Sequence, residues 1–448
     1  MTDITAARPP EASFLKSLRQ TAIFKSALVQ PWTYTTGAVL LAVVAGALLA
    51  STGRIWGVTT ALTFWGAWGW ELVGGDPHSW TYFKDTAPGF NNPALNFFTD
   101  PATMIDVGLI FGALVSTLLA SQFKVKNVKS NRQIAGAILG GLLMGFGARL
   151  SFGCNIGALF SGVPSMSLHG WVFMVFIFLG AMLGSKLLVM YFIGEASIST
   201  APVPQAAPAA VVAPAAKPGG IKRIQRTHVE RKENTTQFPI GIAVLLVLIV
   251  ICWYFFAVQK SLMLAIFWAF GIAFGFILQR ARFCFTAAMR DPCLTGGTNL
   301  TKAVIVALAI STVLFTALQA SVLIKGGTLD QAMKIGYVAP VGALHTPIGA
   351  FMFGIGAVIS GGCASGTLMR VGEGFVQQWI ALPAFCIGGA LGAVTWPVWK
   401  DLLMVDMTSK YFLPQLVGGF IPGVVLQFAL LFGCWLLADW WSKRQTQA

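Results

Sequence analysis

The chain has 448 residues, 56% of them hydrophobic and only 10% charged, with a formal net charge of +14. Such a composition excludes a soluble domain and fits an integral membrane protein built from apolar runs of spanning length. Lys and Arg sit mostly between those runs, the pattern of cytoplasmic loop anchoring, so the positive charge does not point to nucleic acid. Residues 1–32 set Phe14, Leu15, Leu18, Ile23 and Phe24 against Lys16, Arg19 and Lys25, which predicts an amphipathic helix on a membrane surface. They lack the long apolar stretch and small-residue cleavage site of a removable signal. A first membrane repeat is expected over 33–194, with spans at 33–50, 105–121, 133–150 and 169–193. Residues 54–73 are apolar but rich in Thr, Gly and Trp, and either span or dip in and return. The loop 122–132 carries Lys124, Lys126, Lys129 and Arg132 with no acid, which assigns it to the cytoplasm. Residues 195–237 form an Ala/Pro-rich, then charged, linker (Lys222, Arg223, Arg226, Arg231, Lys232), expected to be flexible and cytoplasmic. A second membrane repeat follows over 238–440, and the tail 441–448, with Lys443 and Arg444, is placed in the cytoplasm.

One motif occurs twice. Aligning Cys154 on Cys363 superimposes Gly140/Gly349, Gly145/Gly354, Gly147/Gly356, Ala148/Ala357, Ser151/Ser360, Gly153/Gly362 and Gly157/Gly366 without a gap. This is an internal repeat, and the two copies approach the membrane from opposite sides. The expected fold is therefore all-α and polytopic, with about nine to eleven spans. It has inverted-topology repeats and broken or re-entrant helices carrying the Gly-Cys motifs. Carrying the 209-residue offset back to 33–50 would match it to 238–257 and put the N-terminus outside, whereas the basic N-terminal segment argues for inside. For Cys284 the first half offers Gly75, or Trp56 if Arg54-Ile-Trp is matched to Arg282-Phe-Cys.

Broken helices at membrane depth need protein or a water-filled path to satisfy the freed backbone, and each break creates a helix N-terminus that favours an anion. Those N-termini are expected near Gly157 and Gly366. Arg149 is the only charge in the first motif; it marks a function, or it is a snorkelling or paired arginine. Arg280 and Arg282 are expected at the cytoplasmic rim. Cys252, Cys386 and Cys434 lie inside ordinary apolar runs and read as small core hydrophobes; Cys293 sits in a polar turn and stays open. Asp106 and Glu373 are expected as caps or loop contacts, which leaves a proton relay unsupported except through His169 and His345. No phosphate-loop motif and no metal-ligating Cys/His cluster is present, so neither an ATPase nor a metal or cofactor site is expected.

At these motifs the chain resembles the YeeE/YedE family of sulphur-compound transporters. The matching stretches are Gly145-Phe-Gly-Ala-Arg-Leu-Ser-Phe-Gly-Cys-Asn155 with Ser167-Leu-His-Gly-Trp171, Phe283-Cys-Phe-Thr-x-Ala-x-Arg-Asp291, and Gly361-Gly-Cys-Ala-Ser-Gly366 with Glu373-Gly374. The order of the halves and the long linker look most like the YedE branch, which is associated with selenium metabolism. The resemblance implies thiosulfate uptake across a bacterial inner membrane, through an hourglass whose three cysteines pass the anion along by S–H hydrogen bonds. Carried onto this sequence, those are Cys154, Cys284 and Cys363, expected on one path near the midplane. Asn155, Arg149, Gly153, Gly157, Gly362, Gly366 and Ser365 are candidate neighbours on that path. A cytoplasmic sulphur-carrier protein is an implied partner. Two other classes compete with a carrier of a sulphur or selenium anion. One is a membrane sulphur transferase with a persulfide on Cys284 or Cys363. The other is a scaffold that docks partners on its linker.

Overall fold

The computed structural model describes Thr21 and residues 24–193, 237–403 and 405–447. The amphipathic segment expected over 1–32 and the linker 195–237 therefore lie outside the described residues, apart from Thr21, residues 24–32 and Gln237. Among the described residues there is no strand, and 10 helices are long and apolar enough to cross a membrane. In the first half these are α1 (Tyr34–Thr52), α3 (Pro101–Leu119), α4 (Asn131–Leu150) and α5 (Leu168–Leu187), with the shorter α2 (Thr59–Leu72) after α1. The second half has α6 (Gln237–Ala257), α7 (Leu262–Ala281), α9 (Asn299–Ile324), α10 (His345–Ser360), α12 (Val376–Val394) and α13 (Phe420–Gln447). Two short helices, α8 (Phe285–Leu294) and α11 (Ala364–Gly372), follow α7 and α10.

Local chemistry sets the ends. Thr33 caps α1 through Thr36 N–H at 3.1 Å, and Ser130 caps α4 through Gln133 N–H. Asp100 caps α3, its carboxylate accepting from Ala102 N–H, Thr103 N–H and the Thr103 hydroxyl, with Pro101 at the first helical position. The helices α1 and α10 stop where Gly53 and Gly361 take φ of 68° and 85°.

Contacts between chain segments fix the threading. Trp32 N–H donates to Arg280 O, Gln122 Nε2 donates to Val29 O, Phe123 and Gln237 bond each other, and Lys126 pairs with Phe375. The start of α1 and α6 and the end of α3 and α7 thus share one face, called the basic face below. Because α1 leaves that face and α3 returns to it, the chain between them enters and leaves from the far face. Residues 54–73 accordingly dip in and return: α2 measures roughly 21 Å, short of a ~30 Å hydrocarbon core. The same accounting puts α8 on a short excursion from the basic face.

The repeated glycines explain the inversion. A methyl on Gly140 would lie 2.7 Å from Gly356 O, and one on Gly349 would lie 2.7 Å from Gly147 O. Residues 140 and 147 on α4 thus meet 356 and 349 on α10, so the two helices run antiparallel. The repeat turns each of these contacts into the other, which makes the crossing a local pseudo-two-fold. Only small residues allow backbones this close. Elsewhere the partners exchange similarly, α1 packing on α9 and α3 on α7. That pattern pairs α1 with α7 and Trp56 with Cys284, and leaves α6, packed on α3, and α13, packed on α9, outside the repeated set.

Between the two faces lies a sealed aromatic layer. Trp56 stacks on Phe274 at 3.8 Å and meets Phe160 edge-on at 5.8 Å. Phe160 in turn meets Phe285, which meets Phe283 at 5.2 Å. All five side chains are fully buried.

Candidate anion path

Each candidate cysteine is the residue that begins a short helix after a break. Cys154 precedes the π-helix Asn155–Gly162, Cys284 precedes α8 and Cys363 precedes α11. The Cys154 sulphur accepts from Ile156 N–H at 3.4 Å. Amides and positive dipole ends therefore gather at every one of these thiols.

The breaks free backbone carbonyls, and side chains from distant parts of the chain capture them. At the first break His169 Nε2 bonds Ser151 O at 2.6 Å, His345 Nδ1 bonds Leu150 O at 3.1 Å, and the Tyr337 hydroxyl donates to Phe152 O. At the second, Gln377 and Gln378 both donate to Ser360 O, and Arg370 donates to Gly361 O. The repeated serines make matching bonds, Ser151 to Gly153 O and Ser360 to Gly362 O. His169 and His345 thus serve as donors to carbonyls, which fixes Nε2–H on the first and Nδ1–H on the second.

Two cavities reach these breaks from opposite faces. The far-face cavity, about 530 Å³, is lined by Arg54, Thr59, Tyr82, Arg149, Gly153 and Gly157. Its counterpart on the basic face, about 260 Å³, is lined by Lys126, Gln279, Arg282, Cys284, Arg370 and Glu373. The aromatic layer separates them, with Trp56 next to Gly57 of the first cavity and Phe283 and Phe285 flanking Cys284 of the second.

The structure brings Cys284 and Cys363 together. Both sulphurs border the space left by Gly366, 3.5 and 3.7 Å from where a methyl there would lie, and Ser365 Oγ lies 3.5 Å from the Cys363 sulphur. It does not bring Cys154 to them. The α4/α10 crossing lies near residues 143 and 352, so the two helix ends that carry Cys154 and Cys363 stand roughly 20 Å apart along the antiparallel pair. Cys154 and Asn155 lie under the far-face cavity, and both amide atoms of Asn155 are buried without a partner. Gly157 opens onto empty space, Gly153 packs its Cα against Ala158, and Gly362 sits beside Gln378.

Arg149 neither snorkels nor pairs. It is 5% exposed, donates at 2.8 Å to both the Tyr82 hydroxyl and Thr59 Oγ1, and has no carboxylate within ion-pair distance among the described residues. Arg282 lines the basic-face cavity in a left-handed conformation, φ 49°, whereas Arg280 is buried against Gln279, Gln122 and Leu28 O. Cys386 is buried in the α12 packing, Cys252 bonds Ala265 O, and Cys293 and Cys434 are partly buried near Trp441.

The profile of the Sulphur transport family matches residues 3–183 and 280–448. The chain belongs to this family. It is 29% identical over 423 residues to a probable transporter YedE of Escherichia coli, covering 92% of this chain and 94% of that one. A probable YedE of Salmonella typhimurium is 29% identical over 425 residues, 93% and 95% of the two chains. A thiosulfate transporter TsuA of Spirochaeta thermophila is 32% identical over 193 residues, 40% of this chain and 55% of that one.

Sequence reasoning missed several residues at these breaks. Tyr82, Thr59, Tyr337 and Arg370 carry no motif, and only the fold brings them to the breaks. Asp106 requires a correction. The cap of α3 is Asp100, and Asp106 lies more than one turn inside the helix, 0% exposed, with neither carboxylate oxygen bonded to protein among the described residues. Glu373 is indeed a helix-end residue, at the end of α11 on the basic-face cavity.

Proposed function

We propose that the chain carries thiosulfate, or a related sulphur or selenium anion, unaltered across a bacterial inner membrane. The direction is from the far-face cavity past Cys154 to the Cys284–Cys363 pair and out through the basic-face cavity. The carrying observation is that all three thiols stand at N-termini of broken helices, with Cys284 lining the basic-face cavity and Cys154 between Gly153 and Gly157 of the far-face one. Relatives named as thiosulfate transporters support the substrate class. Lys124, Lys126, Lys129 and Arg132 on the basic face, together with the basic linker, support a cytoplasmic location for that face.

The chemistry suits passage. A sulphur oxyanion leaving water needs donors at each step, and conduction needs each step to hold it weakly. Thiols donate weakly and carry no fixed charge. Arg149 and Arg54 draw the anion into the first cavity, and the unpartnered Asn155 side-chain amide next to Cys154 replaces water. The aromatic layer must then part, so Trp56 and Phe160 act as the gate and the structure is its closed form. Arg282, Arg370 and Lys126 attract the anion to the exit, where a cytoplasmic sulphur-carrier protein takes it up.

The test is uptake of labelled thiosulfate into liposomes that contain only this protein, with sulfate and selenite as competitors. Cys154→Ala, Cys284→Ala and Cys363→Ala are each expected to reduce uptake at least about ten-fold, a loss of about 1.4 kcal/mol of stabilisation along the path. Undiminished uptake in all three variants would reject the thiol relay.

A further inference from the structure

We propose that Asp106 is a proton-binding site that couples anion passage to the pH gradient; this rests on the transport reading above. Asp106 is fully buried in α3, and both carboxylate oxygens lack a protein partner. An isolated ionised carboxylate in that position is far more costly than a neutral acid. On this reading the residue carries a proton at rest.

The groups around it are few. Asp100, the cap of α3, is the nearest like charge in its own chain segment and is occupied by three hydrogen bonds. From the first break comes Cys154, and from α12 comes Cys386; the charge of Asp106 acts on both sulphurs, at Cys154 with the opposite sign to Arg149 and more weakly than it. Against this turn α7 presents Trp268, Gly271 and Ile272, and α2 presents Trp65, which donates to Thr103. The helices α6 and α11 meet α3 further on, α6 at Leu118–Leu119 and α11 at Ile110–Leu114, so Arg370 and Glu373 belong to its other end. No cation faces Asp106 among the described residues of these elements.

Coupling follows from like charge. With Asp106 ionised, a negative charge offsets the pull of Arg149 on the site where a thiosulfate dianion would meet Cys154 and the adjacent amides, and repels the anion. A proton delivered from the far face forms the O–H bond of the neutral acid, removes that repulsion and lets the anion occupy the site. Loss of the proton towards the basic face favours release. One proton moves with the anion, and no electron changes hands. Binding of proton and anion are mutually strengthening, as linkage requires. The Asn155 amide, adjacent to Cys154 in the chain, and the Trp56 indole N–H are further buried polar groups without partners among the described residues.

The experiment uses the full chain in liposomes with labelled thiosulfate, in two modes: accumulation driven by an acid-outside gradient, and exchange at equal pH. Wild type is expected to accumulate at least ten-fold more with the gradient than after a protonophore. Asp106→Asn is expected to keep exchange yet show no gradient-driven accumulation, and Asp106→Glu to retain it with a displaced pH profile. Gradient-independent wild-type accumulation, or an unaltered gradient response in Asp106→Asn, overturns the proposal. Infrared spectroscopy supplies a readout independent of transport. A buried protonated carboxylic acid band that is present in wild type and missing in Asp106→Asn supports the proton site, and no difference overturns it. If wild type moves thiosulfate in neither mode, the transport reading itself has failed, and the infrared band still decides the protonation state.

Discussion

Replacing Gly356 with alanine tests the pseudo-two-fold crossing that carries both breaks. The added methyl would sit 2.6 Å from Gly140 O and 2.8 Å from Met144 N, both backbone atoms that cannot swing away. On the other side of the crossing, a methyl on Gly147 would sit 2.6 Å from Gly349 O and 2.8 Å from Phe353 N. Relief requires α4 and α10 to move apart by roughly 0.5–1 Å, a gap that forfeits a quarter to a half of the dispersion well across it. Each single substitution is therefore expected to cost about 1–3 kcal/mol, the usual range for overpacking. One separation accommodates both methyls, so Gly147→Ala/Gly356→Ala together should cost less than their sum, with a coupling of at least ~0.5 kcal/mol. Unfolding of the purified protein in detergent, single variants against the double, measures this directly. Uptake should fall in parallel, because both breaks hang on the separated helices. Strict additivity, or wild-type stability in either single variant, would refute the crossing as described.

Gly157→Leu is expected to leave stability within about 0.5 kcal/mol, because its side chain enters open space, while it obstructs the far-face cavity and lowers uptake; normal uptake in a folded variant would remove Gly157 from the path. On the far face, Lys400 Nζ at 2.9 Å and Trp396 Nε1 at 3.3 Å hold the Asp85 carboxyl below its ordinary value of 3.8, the Lys400 hydrogen bond being the larger cause. Since the folded value is the lower one, this stabilisation is complete above pH 3.8 and disappears as pH falls through the folded value. Lys400→Met should therefore cost under ~1 kcal/mol at neutral pH, given a pair about one-third exposed, and progressively less in acid. A stability gap between variant and wild type that widens on acidification would contradict it.

What the sequence revealed was whatever the repeat had kept. The paired glycines, serines and cysteines mark backbone that must bend or approach other backbone, so they are visible without any structure. Their roles differ, however. Gly153, Gly157, Gly362 and Gly366 belong to the breaks, whereas Gly140, Gly147, Gly349 and Gly356 make the crossing, and Gly145 and Gly354 seat α12 and α5. The 209-residue offset does not extend to α1, because the halves differ in their connections: residues 73–100 between α2 and α3 face only 295–298 between α8 and α9. The side chains that capture freed carbonyls were hidden for another reason. His345, Tyr337, Gln377 and Arg370 are single polar residues whose meaning depends wholly on the helix they reach. Asp106 was misjudged because proximity to a helix start does not distinguish a cap from a residue one turn further in.

The two halves agree where backbone packs and differ where the anion would pass. Trp56 stands where the second half has Cys284, and Arg149 where it has Val358; Asn155 is matched by Ala364. A perfectly symmetric path would offer the anion the same site twice, each as strong as the other. Here the far half supplies a buried guanidinium and an aromatic layer, and the basic half supplies two neighbouring thiols beneath exposed cations. On the proposed reading, such asymmetry would set which site is filled and which end is closed at rest. It cannot set a direction, because a static difference in affinity between two sites shifts occupancy without moving the equilibrium across a membrane. Direction needs a gradient that some group in the path can feel. Among the described residues, Asp106 is the acid so placed: buried in a spanning helix, without a partner, its charge reaching Cys154.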